Sequence, residues 1–171
     1  MSLTRILARR RIALGFLAAV AALVLARPTP LTWWIGLVIA IAGEAIRIWA
    51  AGHLEKGREI TQSGPYRWSR HPLYVGSSVI AVGIVIASRS VPVGIVTAFY
   101  MGATITAAIR TEEAFLSERF GDAYDRYRES GGDPMPRGFS VARAIRNREY
   151  RAVAGLAAGF ALLALRMIGY L

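Results

Sequence analysis

The chain contains no cysteine, a single lysine and only two histidines among its 171 residues. The absence of cysteine excludes disulfides, a thiolate nucleophile and every metal site built on cysteine ligands. The two histidines, His53 and His71, have no third ligand at metal spacing, so we expect no metal site. The loop G-x-G-x-x-G is also absent, and with it the sequence signature of a Rossmann-type nucleotide site.

Apolar residues and arginine, by contrast, are abundant. The composition is 54% hydrophobic, and the formal net charge is +10. In a soluble protein this excess of positive charge would indicate a nucleic-acid partner. Here the arginines concentrate beside apolar segments, as in the cytoplasmic loops of membrane proteins, so we expect the lipid bilayer as partner and no nucleic acid. The length suits a single membrane domain over residues 1–171.

Five apolar runs divide the chain. The first follows a run of arginines and imitates a signal peptide, but the residues after it, Arg27 to Pro30, do not form a small-residue cleavage site. We therefore predict an all-α integral membrane protein with about five transmembrane helices and a cytoplasmic amphipathic helical segment after Ile109. The predicted spans are residues 12–26, 31–51, 73–88, 93–109 and 152–171.

Basic residues are distributed unevenly among the segments between these spans. The segment before the first span and the 52–71 loop carry four each, and the 110–151 loop carries nine. The two other loops carry one each, Arg27 and Arg89. The positive-inside rule then predicts that the N-terminus and both long loops are cytoplasmic and that the C-terminus is outside. The preference for arginine over lysine favours a bacterial protein, and hence the inner membrane.

Two features inside the spans predict helix packing or a buried polar site. Glu44 and Arg47 share one face of the second span, where charges are costly, so they either pair with each other or face a polar cavity.

Small residues permit close approach of helices in lipid. They occur in the 73–109 hairpin as Gly76, Ser77, Gly83, Gly94, Gly102 and Ala103, and in the last span as Gly155-x-x-x-Gly159, a packing face within the chain or between subunits.

The stretch TQSGPYRWSRHPLYVG, residues 61–76, holds the most unusual chemistry of the chain. Gly64-Pro65 indicates a turn, and Pro72 suits the first turn of a helix, where its missing N–H is not needed. Tyrosine, tryptophan, arginine and histidine lie between these two prolines. Such a group forms either an interfacial anchor or a set of donors and ring faces for a ligand.

A second polar block, RTEEAFLSERFGDAYDRY, occupies residues 110–127. Its first part has helical spacing, Gly121 reads as a C-cap, and Asp122 reads as the cap of a short second helix. Tyr124 and Tyr127 on that helix are assigned to packing, and Phe115 and Phe120 to the membrane surface or the bundle. Residues 131–136 are predicted to be loop.

Together, GPYRWSRHPLYVG and RTEEAFLSERFGDAYDRY resemble the isoprenylcysteine carboxyl methyltransferase family, to which phospholipid N-methyltransferases are related. The resemblance covers about residues 60–138. It implies S-adenosylmethionine as methyl donor, S-adenosylhomocysteine as product, and a lipophilic or prenylated molecule as acceptor. It also implies a cofactor-binding core over residues 52–151, with residues 152–171 as an additional C-terminal transmembrane helix.

The residue types suit such a cofactor. Carboxylates such as Glu112 and Glu113 accept hydrogen bonds from ribose hydroxyls and an ammonium group, and His71 or an arginine can donate to a carboxylate. The rings of Tyr66 and Tyr74 can contact an adenine or, by cation–π attraction, a sulfonium. The resemblance maps His71, Tyr66, Tyr74 and one of the two glutamates onto cofactor contacts, and aligns residues 58–61 with a further contacting segment. The expected cofactor-binding residues are Arg58, Glu59, Ile60, Thr61, Tyr66, Arg70, His71, Pro72, Leu73, Tyr74, Glu112 and Glu113.

Arg110 and Glu113 are the expected catalytic residues. Arg110 matches a family arginine that faces the carboxylate of the acceptor. A carboxylate acceptor is already ionised and needs no general base, whereas an amine acceptor needs one, for which Glu113, Glu44 or His71 could serve.

Other acceptors, other functions and another role for the glutamates stay open. The acceptor could be a phospholipid or another amine, and the chain could be a non-catalytic or sterol-reductase-like protein of the same fold, which would bind a nicotinamide cofactor. The two glutamates could also form a solvated helix face paired with Arg110 and Arg119.

Overall fold

The computed structural model describes Gly15 and residues 18–130 and 136–169, and all regular structure in these residues is helical. The arginine-rich start of the chain and most of the predicted 131–136 loop lie outside the described residues. The elements are α1 (18–25), α2 (Pro30–His53), a 3₁₀ turn (Gly64–Arg67), α3 (Pro72–Ser88), α4 (Val91–Phe120), α5 (Asp122–Ser130), α6 (Val141–Arg146) and α7 (Tyr150–Met167).

The prediction of an all-α membrane protein is confirmed. Helices α2, α4 and α7 are each long and apolar enough to cross a membrane. Helix α3 is apolar but has 17 residues, which at about 1.5 Å per residue falls short of a ~30 Å hydrocarbon core. Since α1 is described only from residue 18, the predicted number of five spans is not confirmed.

Helices α2 and α3 form the closest helix pair, and glycine permits their approach. A Cβ atom added to Gly36 would lie 2.3 Å from the carbonyl oxygen of Gly83, and one added to Gly43 would lie 2.7 Å from that of Gly76. Glycines spaced by seven residues on each helix thus bring the two backbones together. Such contacts are the usual means of packing in lipid, where no hydrophobic force draws helices together.

The predicted close packing at Gly76 and Gly83 is confirmed, but their partner is α2 and not α4. A Cβ atom on Gly94 of α4 would meet only Val85, at 3.4 Å, and one on Gly102 would meet no described atom within 4 Å. Gly155 and Gly159 of α7 likewise have no described neighbour within that distance. Helix α7 instead packs through Phe160 and Leu163, which belong to the buried apolar core.

Both ends of α2 are capped. At its start, the hydroxyl of Thr29 accepts a hydrogen bond from the backbone N–H of Thr32, which completes a capping box. At its end, the free carbonyl oxygens receive donors from the α6 region. Arg143 Nε donates to Gly52 O at 2.8 Å, and Asn147 Nδ2 donates to Ala51 O at 2.9 Å. The α6 region therefore closes the end of α2 from which the 54–71 loop departs.

Helix α4 continues without a break beyond Ile109, so its last turns carry the first part of the second polar block, and α5 carries the rest. Gly121 ends it with a φ of 49°, in the region that glycine tolerates best, which confirms the predicted C-cap. Helix α5 then folds back. Tyr124 and Tyr127 are 1% and 5% exposed, which confirms their predicted packing role.

Candidate functional site

A cavity of about 490 Å³ opens where the 54–61 loop, the 3₁₀ turn, the start of α3 and the last turns of α4 meet. We call it the loop cavity. Nine of the predicted site residues line it: Glu59, Ile60, Thr61, Tyr66, Arg70, His71, Leu73, Tyr74 and Glu112. Its volume lies within the usual range for small-molecule sites.

Four predicted residues do not line the loop cavity: Arg58, Pro72, Arg110 and Glu113. The side chain of Arg58 is 74% exposed and lies 4.0 Å from Glu55. Pro72 is buried as the first residue of α3, and Arg110 is exposed on α4. Glu113 does not line the cavity but contacts two residues that do, Arg70 and His71.

The two polar blocks meet through their side chains. Tyr74 Oη donates a hydrogen bond to Glu112 Oε2 at 3.0 Å. Glu113 Oε1 accepts from Arg70 Nη1 at 3.3 Å and lies 3.3 Å from His71 Nε2. The ion pairs found for Glu113 thus run to the first block, whereas the alternative interpretation paired the glutamates with Arg110 and Arg119 along α4.

His71 is held at one ring nitrogen and open at the other. Its Nε2 faces Glu113, while its Nδ1 is buried, has no hydrogen-bond partner among the described residues and lies 3.9 Å from Glu112 Oε2. A buried polar atom without a partner is uncommon and calls for an explanation. Since His71 lines the loop cavity, a ligand there could supply the missing partner.

The 3₁₀ turn positions Tyr66. Gly64 has a φ of 56°, and Pro65 follows it, so the chain turns sharply into the bundle. Tyr66 is buried, and this burial, with Glu112 nearby, raises the pKa of its phenol. Tyr66 therefore keeps its proton at every physiological pH. Its backbone carbonyl accepts a hydrogen bond from Tyr127 Oη at 3.0 Å, which fastens α5 to the turn.

His53 has a structural position. Its Nδ1 lies 3.1 Å from Ser63 Oγ, both residues are buried, and its ring fills the space where Gly64 has no side chain. The last residue of α2 is thus joined to the residue before the 3₁₀ turn. This contact sets the path of the loop that leads to the cavity.

Glu59 is bound by a residue that the sequence did not single out. Arg137 donates through both terminal nitrogens to the carboxylate of Glu59, with Nη2 at 2.7 Å from Oε2. This hydrogen bond raises the pKa of Arg137 above its usual range. The cavity wall therefore includes a bidentate ion pair to the segment that precedes α6.

On the α4 side, the cavity is lined by residues that were not predicted. This side carries residues three, four or seven positions apart, so they share one helical face with Glu112. They are Thr104, Ala107, Ala108, Thr111, Phe115 and Leu116. Extending the helical spacing from Glu112 would have found them. Lys56, the only lysine, also lines the cavity.

The loop cavity is thus polar towards the loop and apolar towards the spans. Tyr66, His71 and Glu112 supply ring faces, a free nitrogen and a carboxylate, whereas Ala107 and Ala108 supply apolar surface. In the part of the chain that the structure describes, no group of three or more histidine, aspartate or glutamate side chains could hold a metal ion.

Comparison with known proteins gives several partial matches. A nickel-cobalt-cadmium resistance protein of Alcaligenes xylosoxydans xylosoxydans is 33% identical over 95 residues, which cover 54% of this chain and 43% of that protein. A cobalt-zinc-cadmium resistance protein of Cupriavidus metallidurans is 32% identical over 94 residues, covering 54% and 44%. A protein-S-isoprenylcysteine O-methyltransferase of Schizosaccharomyces pombe is 28% identical over 95 residues, covering 56% and 40%.

The matched region thus spans less than half the length of each of these relatives. No solved structure matches the chain. The phospholipid methyltransferase family matches residues 17–123, which is more than half of the chain and includes both the 61–76 stretch and the glutamates of α4. The chain therefore belongs to the phospholipid methyltransferase family.

Proposed function

We propose that the protein transfers a methyl group from S-adenosylmethionine to a lipophilic acceptor in the membrane, and that the loop cavity binds the methyl donor. The observation that carries this proposal is the meeting of the two polar blocks: Tyr74 with Glu112, and His71 with Glu113. Family membership supports methyl transfer as the reaction class.

The residues of the loop cavity fit the proposed cofactor. Glu112 can accept a hydrogen bond from a ribose hydroxyl or from the ammonium group, and the unpartnered Nδ1 of His71 can bind a polar group of the ligand. The rings of Tyr66 and Tyr74 offer faces to an adenine or to a positive sulfonium. When bound, the cofactor would supply an electrophilic methyl group.

Glu113 and Arg70 act as positioning residues in this proposal. Glu113 holds the imidazole of His71 from behind the wall and, through Arg70, fixes the segment before α3. A catalytic role for Glu113 or Arg110 stays a proposal. For Arg110, the acceptor would have to approach from outside the cavity wall, where this side chain is exposed.

The first candidate for the acceptor is a carboxylate of the isoprenylcysteine type. Such a group is already ionised at neutral pH, so positioning and exclusion of water suffice for the transfer. The geometry supports this choice because Glu113 is engaged by two partners and Glu44 does not line the loop cavity. A prenylated chain would lie along the apolar α4 surface.

The second candidate is an amine acceptor, such as the headgroup of a phospholipid. The description of the matching family favours it directly. An amine must lose a proton before or during transfer, and His71 is then the base within the cavity.

The distribution of arginines supports a cytoplasmic position for the loop cavity, in a bacterial inner membrane. The cavity is built from the 52–71 and 110–151 segments, which carry most of the basic residues. The cysteine-free chain allows a direct test, because Gly138→Cys and Ser90→Cys variants would each hold one thiol. An impermeant maleimide applied outside intact cells should label only the second.

Calorimetric titration with S-adenosylhomocysteine tests cofactor binding in detergent-purified protein. Saturable binding at one site, lost in His71→Ala and kept in Glu118→Gln, would support the proposal. The control residue, Glu118, lies on α4, the helix of Glu112, and is exposed. Binding of NADPH with no binding of S-adenosylhomocysteine, by a folded protein, would overturn the proposal in favour of a reductase-like protein.

Transfer of a labelled methyl group then identifies the acceptor. A prenylcysteine analogue and a phosphatidylethanolamine would be compared under the same conditions. Methylation of the first alone would support the carboxylate acceptor, and methylation of the second alone would support the amine.

A further inference from the structure

A second cavity, of about 430 Å³, lies inside the helix bundle. We call it the bundle cavity, and none of its lining residues lines the loop cavity. Helices α1, α2, α3, α4 and α7 all contribute to it. Most of its wall is apolar, including Ala18, Ala22, Ile80, Ala81, Ile84 and Leu156.

Two charged side chains, Glu44 and Arg47, line this cavity, and a third, Glu149, forms an ion pair with Arg47. Arg47 of α2 donates from Nε to Glu149 Oε1 at 2.7 Å, across 102 residues of sequence. Its Nη1 donates to Ser77 Oγ at 2.5 Å and lies 3.4 Å from the carbonyl oxygen of Leu73. The guanidinium is thus engaged by Glu149 and α3.

Glu44 remains without a hydrogen bond. It is 6% exposed, and neither of its carboxylate oxygens has a hydrogen-bond partner among the described residues. Its Oε2 lies 3.7 Å from Arg47 Nε, which is too long for a hydrogen bond. The expected ion pair between Glu44 and Arg47 is thus present, but it is longer than the pair between Arg47 and Glu149, at 2.7 Å.

The charges of this group do not balance. Arg47, the one basic side chain among the described residues that line the cavity, is shared by two carboxylates, Glu44 at 3.7 Å and Glu149 at 2.7 Å. A buried carboxylate without hydrogen bonds is costly, and an ionisable residue inside a membrane is by default a candidate functional site. Protonating Glu44 would remove the charge but would leave a buried hydroxyl donor that also needs a partner.

We propose that the bundle cavity binds an amphiphile with a single primary ammonium head and a hydrocarbon chain. The ammonium head supplies the hydrogen-bond donors that Glu44 lacks, and a second positive charge beside the two carboxylates. The hydrocarbon chain lies against the alanine surface of α1 and the apolar residues of α3 and α7. The site takes no part in methyl transfer and requires no methyl donor, so it stands independently of the function proposed above.

Photolabelling of the full chain in phosphatidylcholine nanodiscs tests this site. The probe is an alkylamine with a diazirine in its chain, used without any methyl donor, and the cross-linked residues are mapped by mass spectrometry. Matched probes carry a carboxylate or a hydroxyl head on the same chain. We expect the amine alone to label residues of α4 and α7 at the bundle cavity, in the 97–101 and 152–156 segments.

The Glu44→Gln variant should lower this labelling about tenfold, since it removes the charge while keeping the volume of the side chain. Glu118→Gln, an exposed change of the same kind on α4, should leave it unchanged. Unlabelled alkylamine should protect the wild-type protein, which tests the site without any variant. Equal labelling by the three probes, or labelling that neither competitor nor Glu44→Gln reduces, would show that the cavity holds only lipid tails or water and would overturn the proposal.

Discussion

Tyr74 Oη donates to Glu112 Oε2 across 38 residues of sequence, at a distance of 3.0 Å. This bond joins the first turn of α3 to the polar end of α4. Because both partners also line the loop cavity, this hydrogen bond is part of the cavity wall.

Replacing Tyr74 by phenylalanine removes the bond and keeps the ring. We expect the affinity for S-adenosylhomocysteine to fall about fivefold, which corresponds to about 1 kcal/mol for one hydrogen bond. Tyr74→Ala should lose more, because the ring face is also removed. Calorimetric titration of both variants measures the difference, and equal losses would contradict a role for the ring.

His71 and Glu113 should act as a coupled pair. His71→Ala removes the nitrogen that faces the cavity, so we expect at least a tenfold loss of affinity for S-adenosylhomocysteine. Glu113→Ala should cost less, because Glu113 acts through His71 and Arg70. The double variant should lose less than the sum of the two changes. If both single variants stay monodisperse and bind as well as the wild type, the site is assigned wrongly.

Removing one partner of the ion pair between Arg47 and Glu149 should destabilise the bundle. Arg47→Ala leaves two buried carboxylates without a cation, and we expect it to lower the free energy of unfolding by about 3 kcal/mol. Thermal unfolding in detergent measures this, with Arg128→Ala on exposed α5 surface as control. The apolar double variant Arg47→Met, Glu149→Leu should recover part of the loss, and an equally unstable double variant would speak against this explanation.

Two glycine substitutions should have opposite effects. Gly36→Ala places a Cβ atom 2.3 Å from the backbone oxygen of Gly83, so α2 and α3 must separate, at a cost of about 1–3 kcal/mol or more. Gly102→Ala meets no described atom within 4 Å and improves helix propensity by up to about 1 kcal/mol. Unfolding temperatures of the two variants check the prediction, which fails if they shift in the same direction.

Tyr127 should make stability depend on pH in the alkaline range. Burial raises the pKa of its phenol from about 10 to about 12, so the folded state favours the protonated form. Its contribution to the free energy of unfolding is complete below pH 10 and is lost as pH rises towards 12. The stability difference between the wild type and Tyr127→Phe, measured by denaturant titration, should shrink over that interval. A constant difference would contradict the shift.

Hydropathy and local signals predicted most of the helices. The second span was expected at 31–51 and forms as Pro30–His53, and the last was expected at 152–171 and forms as Tyr150–Met167. Proline at the start of α3 and glycine at the end of α4 determine where a helix begins or ends within one turn of their own positions. Such signals need no knowledge of distant residues, so a single sequence contains them.

Contacts between distant segments were not predictable in the same way. Glu149 pairs with Arg47, and Arg137 pairs with Glu59. The sequence around Glu149 and Arg137 does not distinguish them from the other charged residues of the arginine-rich 110–151 loop. The sequence around the glycines of α2 also does not indicate that α3 is the helix against which they pack. Pairing of helices depends on shape complementarity across the whole interface, which residue spacing on one helix does not encode.

Arg137, in the segment before α6, binds both carboxylate oxygens of Glu59, which lines the loop cavity. This segment therefore competes with a ligand of the cavity for that carboxylate. A ligand group that takes the oxygens of Glu59 must displace the guanidinium, and the segment around Arg137 then loses one of its attachments. A second ligand that binds Arg137 and draws it away from Glu59 would therefore raise the affinity of the loop cavity for its own ligand. By thermodynamic reciprocity, each ligand would change the affinity for the other by the same factor. Ligand binding in the loop cavity and the position of the segment around Arg137 are therefore thermodynamically coupled.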